Sequence, residues 1–339
     1  MIPYPSIEQF KNCIKQVTND TRYAGKDENG KAIYNNNSLP TLTFTGTCKI
    51  HGSNASIVYN GDKLIAQSRQ RELSVLSDNH GFCAFTIKNE KLLKNFCELI
   101  IGKNDTVVVY GEWFGKGINS NVAVNELDKK FAIFGIKFIS GADHIWVEGI
   151  GLDEFFFGLG IEVINELNNN DIYYITQFGV WQIDIDFNHP ELVQNEVIKI
   201  TNDIEKECPV GKYFGISGIG EGCVFSHNGE HFYQWKSKGQ LHSVSKVKSL
   251  APIDEEMYNN IKEFAETYTN EARLEQGLSV LRDELLLEPI DKNTGAFIKW
   301  VVQDIIKEEK NNIAENGFDF KKVSQEISKI ASKWYLNKI

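Results

Sequence analysis

Two stretches of this chain alternate apolar and polar residues on either side of an Asn-Gly pair. ASIVY and KLIAQS flank Asn60-Gly61, and EGCVFS and HFYQWKS flank Asn228-Gly229. Both central residues of a type I′ turn need positive φ, which Asn and Gly tolerate, so each stretch predicts a β-hairpin with a two-residue turn. Runs rich in β-branched and aromatic residues predict further strands over 42–50, 106–114, 130–138 and 144–150. Residues 87–101, 152–168 and 190–207 have the length and apolar spacing of helices.

The texture changes after Pro252. Apolar residues recur there at helical spacing, as in Phe297, Trp300, Val301 and Ile305, then Val323, Ile327, Ile330 and Trp334. Asp254, Asn293 and Asp319 suit N-caps, and Pro289 predicts a helix end. Trp300 and Trp334 read as core. The pattern predicts an α+β protein, with a strand-rich domain over 1–250 and an all-helical domain over 251–339.

Composition sharpens this picture by exclusion. The chain has 339 residues, 42% hydrophobic and 24% charged, which suits a globular protein with a sizeable core. Its formal net charge of −10 and pI near 5.3 argue against coating nucleic acid through bulk electrostatics. Any such contact must be local. Candidate patches are 236–248, with four lysines and no acid, and the stretch from Gly317, with five lysines against Asp319 and Glu326. Six cysteines without a CxxC pair suggest reduced thiols rather than a zinc site or disulfide framework. The N-terminal residues resemble neither a signal peptide nor a membrane span, so an intracellular, cytoplasmic protein is expected.

Candidate chemistry begins at Lys49, in KIHGSN (Lys49–Asn54), where a strand-like run meets a turn. A lysine so placed can offer its amine from the floor of a pocket. In the second hairpin, a two-residue turn puts Glu221 opposite Lys236, with Lys238 on the same face. Two adjacent ammonium groups repel unless an anion lies between them, and a phosphate suits that position. The glycines at 211, 215, 218, 220 and 222 lack the layout of a phosphate loop and read as loop.

Taken in order, KIHGSN at Lys49, SRQR at Ser68–Arg71, YGEWFGKGI at Tyr110–Ile118, FAIFGI at Phe131–Ile136, EGCVF at Glu221–Phe225 and WKSK at Trp235–Lys238 resemble the covalent nucleotidyltransferases. Within that superfamily they are most similar to the phage-type RNA ligase 2 family of ATP-dependent RNA ligases. The tail, with WVVQDIIKEE at Trp300–Glu309, resembles that family's C-terminal domain. The resemblance implies a nucleotidyltransferase domain of ATP-grasp-like antiparallel sheets with flanking helices, followed by a small helical domain. It also implies ligation of RNA 5′-phosphate and 3′-hydroxyl ends, as in nick repair, through lysyl-AMP and RNA-adenylate intermediates. ATP and Mg²⁺ or Mn²⁺ would be the cofactors, RNA the partner, and a monomer the working form.

The same resemblance assigns roles. Lys49 would be the nucleophile, deprotonated to attack and favoured in its neutral form by nearby cations. Lys236 and Lys238 would bind the α-phosphate, with Lys238 orienting the leaving pyrophosphate. Glu112 would hold the ribose hydroxyls, Phe134 would stack on adenine, and Glu221 would hold the metal. Arg69 would contact the ribose or the RNA phosphate, in competition with Arg71, and His51 and Asn54 would order the pocket. Two positions and one segment depart from the family pattern: Cys48 and Gly135 stand where acidic residues are common, and SRQR differs from the usual Lys-Arg-Thr/Ser-Gly. DNA ligase, capping guanylyltransferase and a non-catalytic relative are the alternatives; the first two normally append an OB domain, whereas this tail reads as helical.

Overall fold

A computed structural model of the protein describes residues 1–242 and 254–339. Its contacts divide the chain into two compact units. The first takes Met1–Thr21 and Leu39–Ala251; the second takes Arg22–Ser38 and Pro252–Ile339. The change of texture read at Pro252 lies outside the described residues, and so do 243–248 of the first lysine-rich patch.

Thirteen strands are found among the described residues: β1 (Glu8–Gln9), β2 (Tyr23–Lys26), β3 (Ala32–Tyr34), β4 (Thr41–Lys49), β5 (Ser53–Tyr59), β6 (Leu64–Ser68), β7 (Thr106–Phe114), β8 (Lys130–Ser140), β9 (Asp143–Glu148), β10 (Ile172–Tyr174), β11 (Val180–Asp186), β12 (Gly222–Asn228) and β13 (Phe232–Lys238). One sheet of the first unit has the order β1-β13-β12-β4-β11; the other has β10-β8-β7-β5-β6, with β9 on β8. All pairs are antiparallel except β1 with β13 and β10 with β8. The class is α+β. In β7, Val107 and Val109 enter the main core while Val108 and Tyr110 enter a smaller cluster on the opposite face. A strand buried on both faces reads as a continuous apolar run, which is why VVVY shows no alternation.

The helices α1 (Phe10–Arg22), α2 (Phe82–Lys88), α3 (Glu90–Ile101), α4 (Gly151–Leu159), α5 (Ile161–Asn168), α6 (Gln194–Lys206) and α7 (Pro209–Tyr213) flank the sheets. In α3 the buried residues Leu93, Phe96, Cys97 and Ile100 make one apolar stripe. The helix expected over 87–101 is two helices parted at Asn89, and that over 152–168 is broken at Gly160, whose φ of 93° no helix accommodates. Residues Pro190–Val193 form a 3₁₀ turn before α6.

Both hairpins depart from their expected turns. Tyr59 pairs with Leu64, so four residues connect β5 to β6, and Asn60 Oδ1 accepts from the backbone N–H groups of Asp62 and Lys63. Asn228 pairs with Phe232, so three residues connect β12 to β13. Asn228 ends the register of β12, and Asn60 is the first residue after that of β5, its N–H donating to the Lys63 carbonyl, so neither occupies the first central position of a two-residue turn. The second correction moves the register by three residues: Lys236 lies opposite Val224, and Lys238 opposite Gly222.

The second unit contains α8 (Glu255–Tyr268), α9 (Glu271–Ser279), α10 (Thr294–Glu308), α11 (Lys310–Glu315), α12 (Phe320–Lys338) and the β2–β3 hairpin. Its core gathers Phe297, Val301 and Ile305 from α10 with Val323, Ile327 and Tyr335 from α12. Trp300 and Trp334 pack against that core while partly exposed. Asp254 and Asp319 accept capping hydrogen bonds from helix N–H groups, whereas the Asn293 side chain donates to the Glu288 carbonyl instead.

Candidate active site

KIHGSN is the bridge between the two large sheets. Lys49 ends β4 in one, and Ser53 begins β5 in the other. β4 is hydrogen-bonded on both sides, by β11 and β12, so Lys49 projects from a fixed backbone. Gly52 is demanded by its surroundings: a Cβ there would lie 2.5 Å from the Trp113 carbonyl oxygen and 2.8 Å from Glu112 Cγ. Its N–H donates to Glu112 Oε1 at 3.1 Å.

Three neighbouring strands then set the site out in rungs. Lys49, Gly222 and Lys238 form one rung across β4, β12 and β13; Thr47, Val224 and Lys236 form the next; Thr45, Ser226 and Gln234 form the third. Residues two apart on a strand share a face, so the side chains of all three rungs lie on one side of the sheet. Glycine at the centre of the first rung leaves room between two lysines. It is also the residue that permits the strand to start there, since φ is 155° and a Cβ would come within 2.2 Å of the Ser237 carbonyl oxygen.

Glu221 fills that gap from the residue before the strand. Its Oε2 lies 2.7 Å from Lys49 Nζ and 3.3 Å from His51 Nδ1, and its Oε1 lies 2.7 Å from Lys238 Nζ. The cross-strand pair expected between Glu221 and Lys236 is therefore replaced by a bridge from Glu221 to Lys49 and Lys238. The physical reason is the longer turn: it places the Gly239 N–H on the Glu221 carbonyl and carries Lys236 one rung away. Glu221 is 2% exposed. Burial alone would push its carboxyl up, but the His51 hydrogen bond, the Lys49 charge and the hydrogen bonds from Lys238 and Lys49 outweigh burial and hold it well below the usual carboxylate range. Lys236 makes no ion pair among the described residues. Its pKa is lowered by burial first, then by the charges of Lys49, Lys238 and Arg69.

The rungs open on a cavity of about 550 Å³, within the usual range for small-molecule sites. Lys49, Asn54, Arg69, Glu112, Phe134 and Lys236 line it; His51, Glu221 and Lys238 join it through their contacts around Lys49. Glu112 on β7 pairs with Asn54 on β5. Burial pushes the Glu112 carboxyl up to about 7, the Glu221 charge adds to this, and Lys49, the Gly52 N–H and Arg69 oppose it. Phe134 is the extra residue of a β-bulge, because Tyr110 pairs with Gly135 and Gly111 with Ile133. Such a bulge re-aims a side chain, and here it shifts the alternation so that Ile133 and Ile136 both enter the main core while Phe134 lines the cavity.

Arg69 and Arg71 part ways. Arg71 donates to the Ser77 carbonyl and hydroxyl, both at 2.6 Å, and to the Asp78 carbonyl, so it holds its own loop together. Arg69 is exposed at the cavity and donates to Ser6 Oγ at 2.8 Å. Cys48 belongs to the core, cross-strand from Cys223. All six cysteines are free and buried. In the C-terminal lysine run, Lys329 pairs with Glu326 and Lys338 with Glu275, as on an ordinary solvated helix face. Tyr4, Ser226 and Gln234 also line the cavity. Sequence reasoning missed them, although Gln234 continues the alternation of Lys236 and Lys238 down β13.

A carboxylate between two ammonium groups at the floor of a cationic cavity suits a ligand that carries phosphate. Among the described residues no group of three or more His, Cys, Asp or Glu could cage a metal. No described helix is long and apolar enough to cross a membrane.

Comparison with curated proteins returned no match. Solved structures of an RNA ligase of Naegleria gruberi are similar at low identity. A lysine-to-methionine variant with AMP and Mn has a TM-score of 0.44 and 17% identity, covering 71% of this chain and 57% of that one. The same ligase with PPi has a TM-score of 0.44 and 17% identity, covering 70% and 56%. A lysine-to-alanine variant with ATP and Mn has a TM-score of 0.43 and 17% identity, again covering 70% and 56%. The chain thus spans somewhat more than half the length of these ligases. The family model for RNA ligase matches residues 42–248, more than half of the sequence, and the chain belongs to the RNA ligase family.

Proposed function

We propose that this protein is an ATP-dependent RNA ligase that joins 5′-phosphate and 3′-hydroxyl ends, at nicks above all, through a lysyl-AMP intermediate. The observation that carries this reading is the Glu221 carboxylate bridging Lys49 and Lys238, 2.7 Å from each, beside the cavity. In the first step the neutral Lys49 amine attacks the α-phosphorus of ATP; the N–P bond forms and the bond to pyrophosphate breaks. An RNA 5′-phosphate oxygen then takes the AMP from Lys49. Finally a 3′-hydroxyl attacks that 5′-phosphorus, and AMP leaves. Each transfer needs an aligned nucleophile and stabilised charge on the phosphoryl oxygens.

Lys236 and Lys238 supply that stabilisation, with Lys238 nearer the leaving pyrophosphate. Glu112 accepts from the ribose hydroxyls, Phe134 offers its face to adenine, and Asn54 and His51 order the pocket. Arg69 rather than Arg71 contacts the ribose or the RNA phosphate, because Arg71 is committed to its own loop. A divalent ion, Mg²⁺ or Mn²⁺, would be held largely by the nucleotide's phosphates and from the protein by Glu221, and would neutralise phosphate charge. The absence of a multi-residue cage among the described residues fits an ion that arrives with its nucleotide. The free, buried thiols support a reducing, cytoplasmic setting. We take the working form to be a monomer acting on RNA.

The test is covalent labelling of the protein with α-labelled ATP and Mg²⁺. Wild type should be labelled, and Lys49→Ala should lose labelling by more than about a thousandfold, as removal of a nucleophile does. Nicked duplexes with ribose or deoxyribose at the nick should then show preference for a terminal 2′-hydroxyl. An unlabelled wild type, or a Lys49→Ala protein labelled like wild type, would refute the mechanism.

A further inference from the structure

The loop between β6 and α2 presents two apolar residues to solvent at a turn that does not call for them. Leu76 is 100% exposed and Val75 70%. They are the central pair of a turn closed by Ser74 and Ser77, whose backbone groups hydrogen-bond in both directions, at 3.3 and 3.0 Å. Neither central residue takes the left-handed conformation, so polar side chains would fit both positions equally well.

This turn stands on a fastened stem. The Leu73 N–H donates to the Ala66 carbonyl at 2.8 Å, and the Leu73 side chain packs on the main core. Arg71 clasps the returning chain at Ser77 and at the Asp78 carbonyl. The Asp78 carboxylate accepts from the backbone N–H groups of Asn79, Cys83 and Ala84, at 2.6, 2.7 and 3.1 Å, which ties that chain to α2. Val75 and Leu76 are thereby held away from the core.

Both ends of the loop are cavity wall. Arg71 and Asn79 line the cavity, and Asn79 Nδ2 donates to Ser53 Oγ at 2.7 Å where β5 begins. Val75 is midway between them in sequence, so even a fully extended chain keeps the tip within about 14 Å of the wall. A polynucleotide whose terminal phosphate enters the cavity therefore runs its next few nucleotides within reach of the tip.

Two side chains fall well short of a protein interface, which buries about 800 Å² on each partner. They do suit a wedge between stacked bases, the use that duplex-bending proteins make of apolar side chains in a minor groove. An RNA duplex offers that groove wide and shallow. A nick interrupts one strand, and the base steps beside it open at less cost than those of a continuous duplex.

We propose that Val75 and Leu76 form an apolar wedge that enters a base step beside the nick of the RNA substrate and so favours nicked over continuous duplex. The proposal rests on the RNA ligase reading above and adds to it a substrate contact outside the nucleotide cavity.

The experiment uses nicked RNA duplexes carrying 2-aminopurine, which brightens on unstacking, at each position within about five base pairs of the nick. That covers the reach of the tip at roughly 3.4 Å per step. Full-length wild type without ATP should brighten one or two neighbouring positions and bind the nicked duplex about tenfold more tightly than the continuous one. The double variant Val75→Ser, Leu76→Ser should abolish the brightening and bring the two duplexes to within about threefold. Its kcat/KM for sealing should fall about tenfold or more, the scale of a leucine withdrawn from water. Leu76→Met should keep all three properties. Covalent labelling by α-labelled ATP should stay within about twofold of wild type in both variants, because neither residue lines the cavity.

No brightening by wild type, or a double variant that seals and discriminates like wild type, overturns this proposal alone. So does a double variant that loses labelling, which would place the tip in the nucleotide site. A wild-type dimer that the double variant separates in sedimentation would give the tip to a second copy of the chain and overturn it as well. Wild type that brightens the nicked duplex but is never labelled by ATP overturns the ligase mechanism and leaves the wedge in place.

Discussion

Two carboxylates face the same group of cations from opposite sheets, and their surroundings drive them in opposite directions. Burial raises the pKa of both Glu221 and Glu112. Glu221 receives two ammonium groups and an imidazole in direct contact, enough to reverse the effect and keep it ionised. Glu112 receives one backbone N–H in contact, feels Lys49 and Arg69 only as charges, and stays near 7. Burial does not decide the charge state of a carboxylate; the number of donors within hydrogen-bond reach does. Sites that work by acid, base and charge commonly hold such divergent pairs.

Removing the charge of Glu221 breaks the comparison most severely. Glu221→Gln leaves Lys49 and Lys238 on one rung with a neutral amide between them. Breaking a buried pair costs about 3 kcal/mol at the low end of its range, which suits lysines that retain some solvent. Covalent labelling should fall by at least about a hundredfold. Because the native carboxyl is held below its unfolded value near ~4.3, its contribution is complete above that pH and is lost as pH falls below it. The Tm gap between wild type and Glu221→Gln should therefore be widest near neutral pH and close toward acid. A gap that stays constant from pH 7 to pH 3 would contradict the assigned charge state.

The frame around Glu221 is the next target. Gly222→Ala puts a methyl group within 2.2 Å of the Ser237 carbonyl oxygen and 2.9 Å of Lys238 Cα, so β13 must move. A loss of about 2 kcal/mol is expected, as for other forced overpacking, with labelling reduced because Lys238 shifts from Glu221. Thermal unfolding and labelling both matching wild type would show that the rung does not depend on a glycine at its centre.

Much of this arrangement was legible in the sequence, and the part that was not has definite causes. Strands 106–114 and 42–50 announced themselves through β-branched residues, and KIHGSN through a lysine at a strand end. The neighbourhood of Lys49, Glu221 and Lys238 was approached by the right residues and the wrong register. Asn228-Gly229 favours a two-residue turn, but the paired strand ends at Asn228, whose side chain donates to the Glu148 carbonyl, a tertiary contact invisible to local turn rules. Phe134 could not be placed by alternation, because a bulge resets the period within β8. Tyr4 lies more than two hundred residues from Gln234, and no local pattern links them. The β2–β3 hairpin belongs by its contacts with the helices of the second unit, and nothing in its composition says so.

The mildest test concerns Glu112 itself. Its native pKa is raised above the unfolded value, so its contribution to stability is complete below that value and is lost as pH rises through about 7. Glu112→Gln, neutral throughout, should gain in Tm relative to wild type between pH 5 and pH 8. Binding has the opposite sign, since the ionised carboxylate is the better acceptor for ribose hydroxyls. Nucleotide affinity of wild type should weaken by up to roughly tenfold per pH unit below 7, relative to Glu112→Gln measured in parallel so that ionisation of the ligand cancels. If wild type and variant weaken together as pH falls, then Glu112 does not need its charge to hold the nucleotide, and the two carboxylates differ in environment without differing in role.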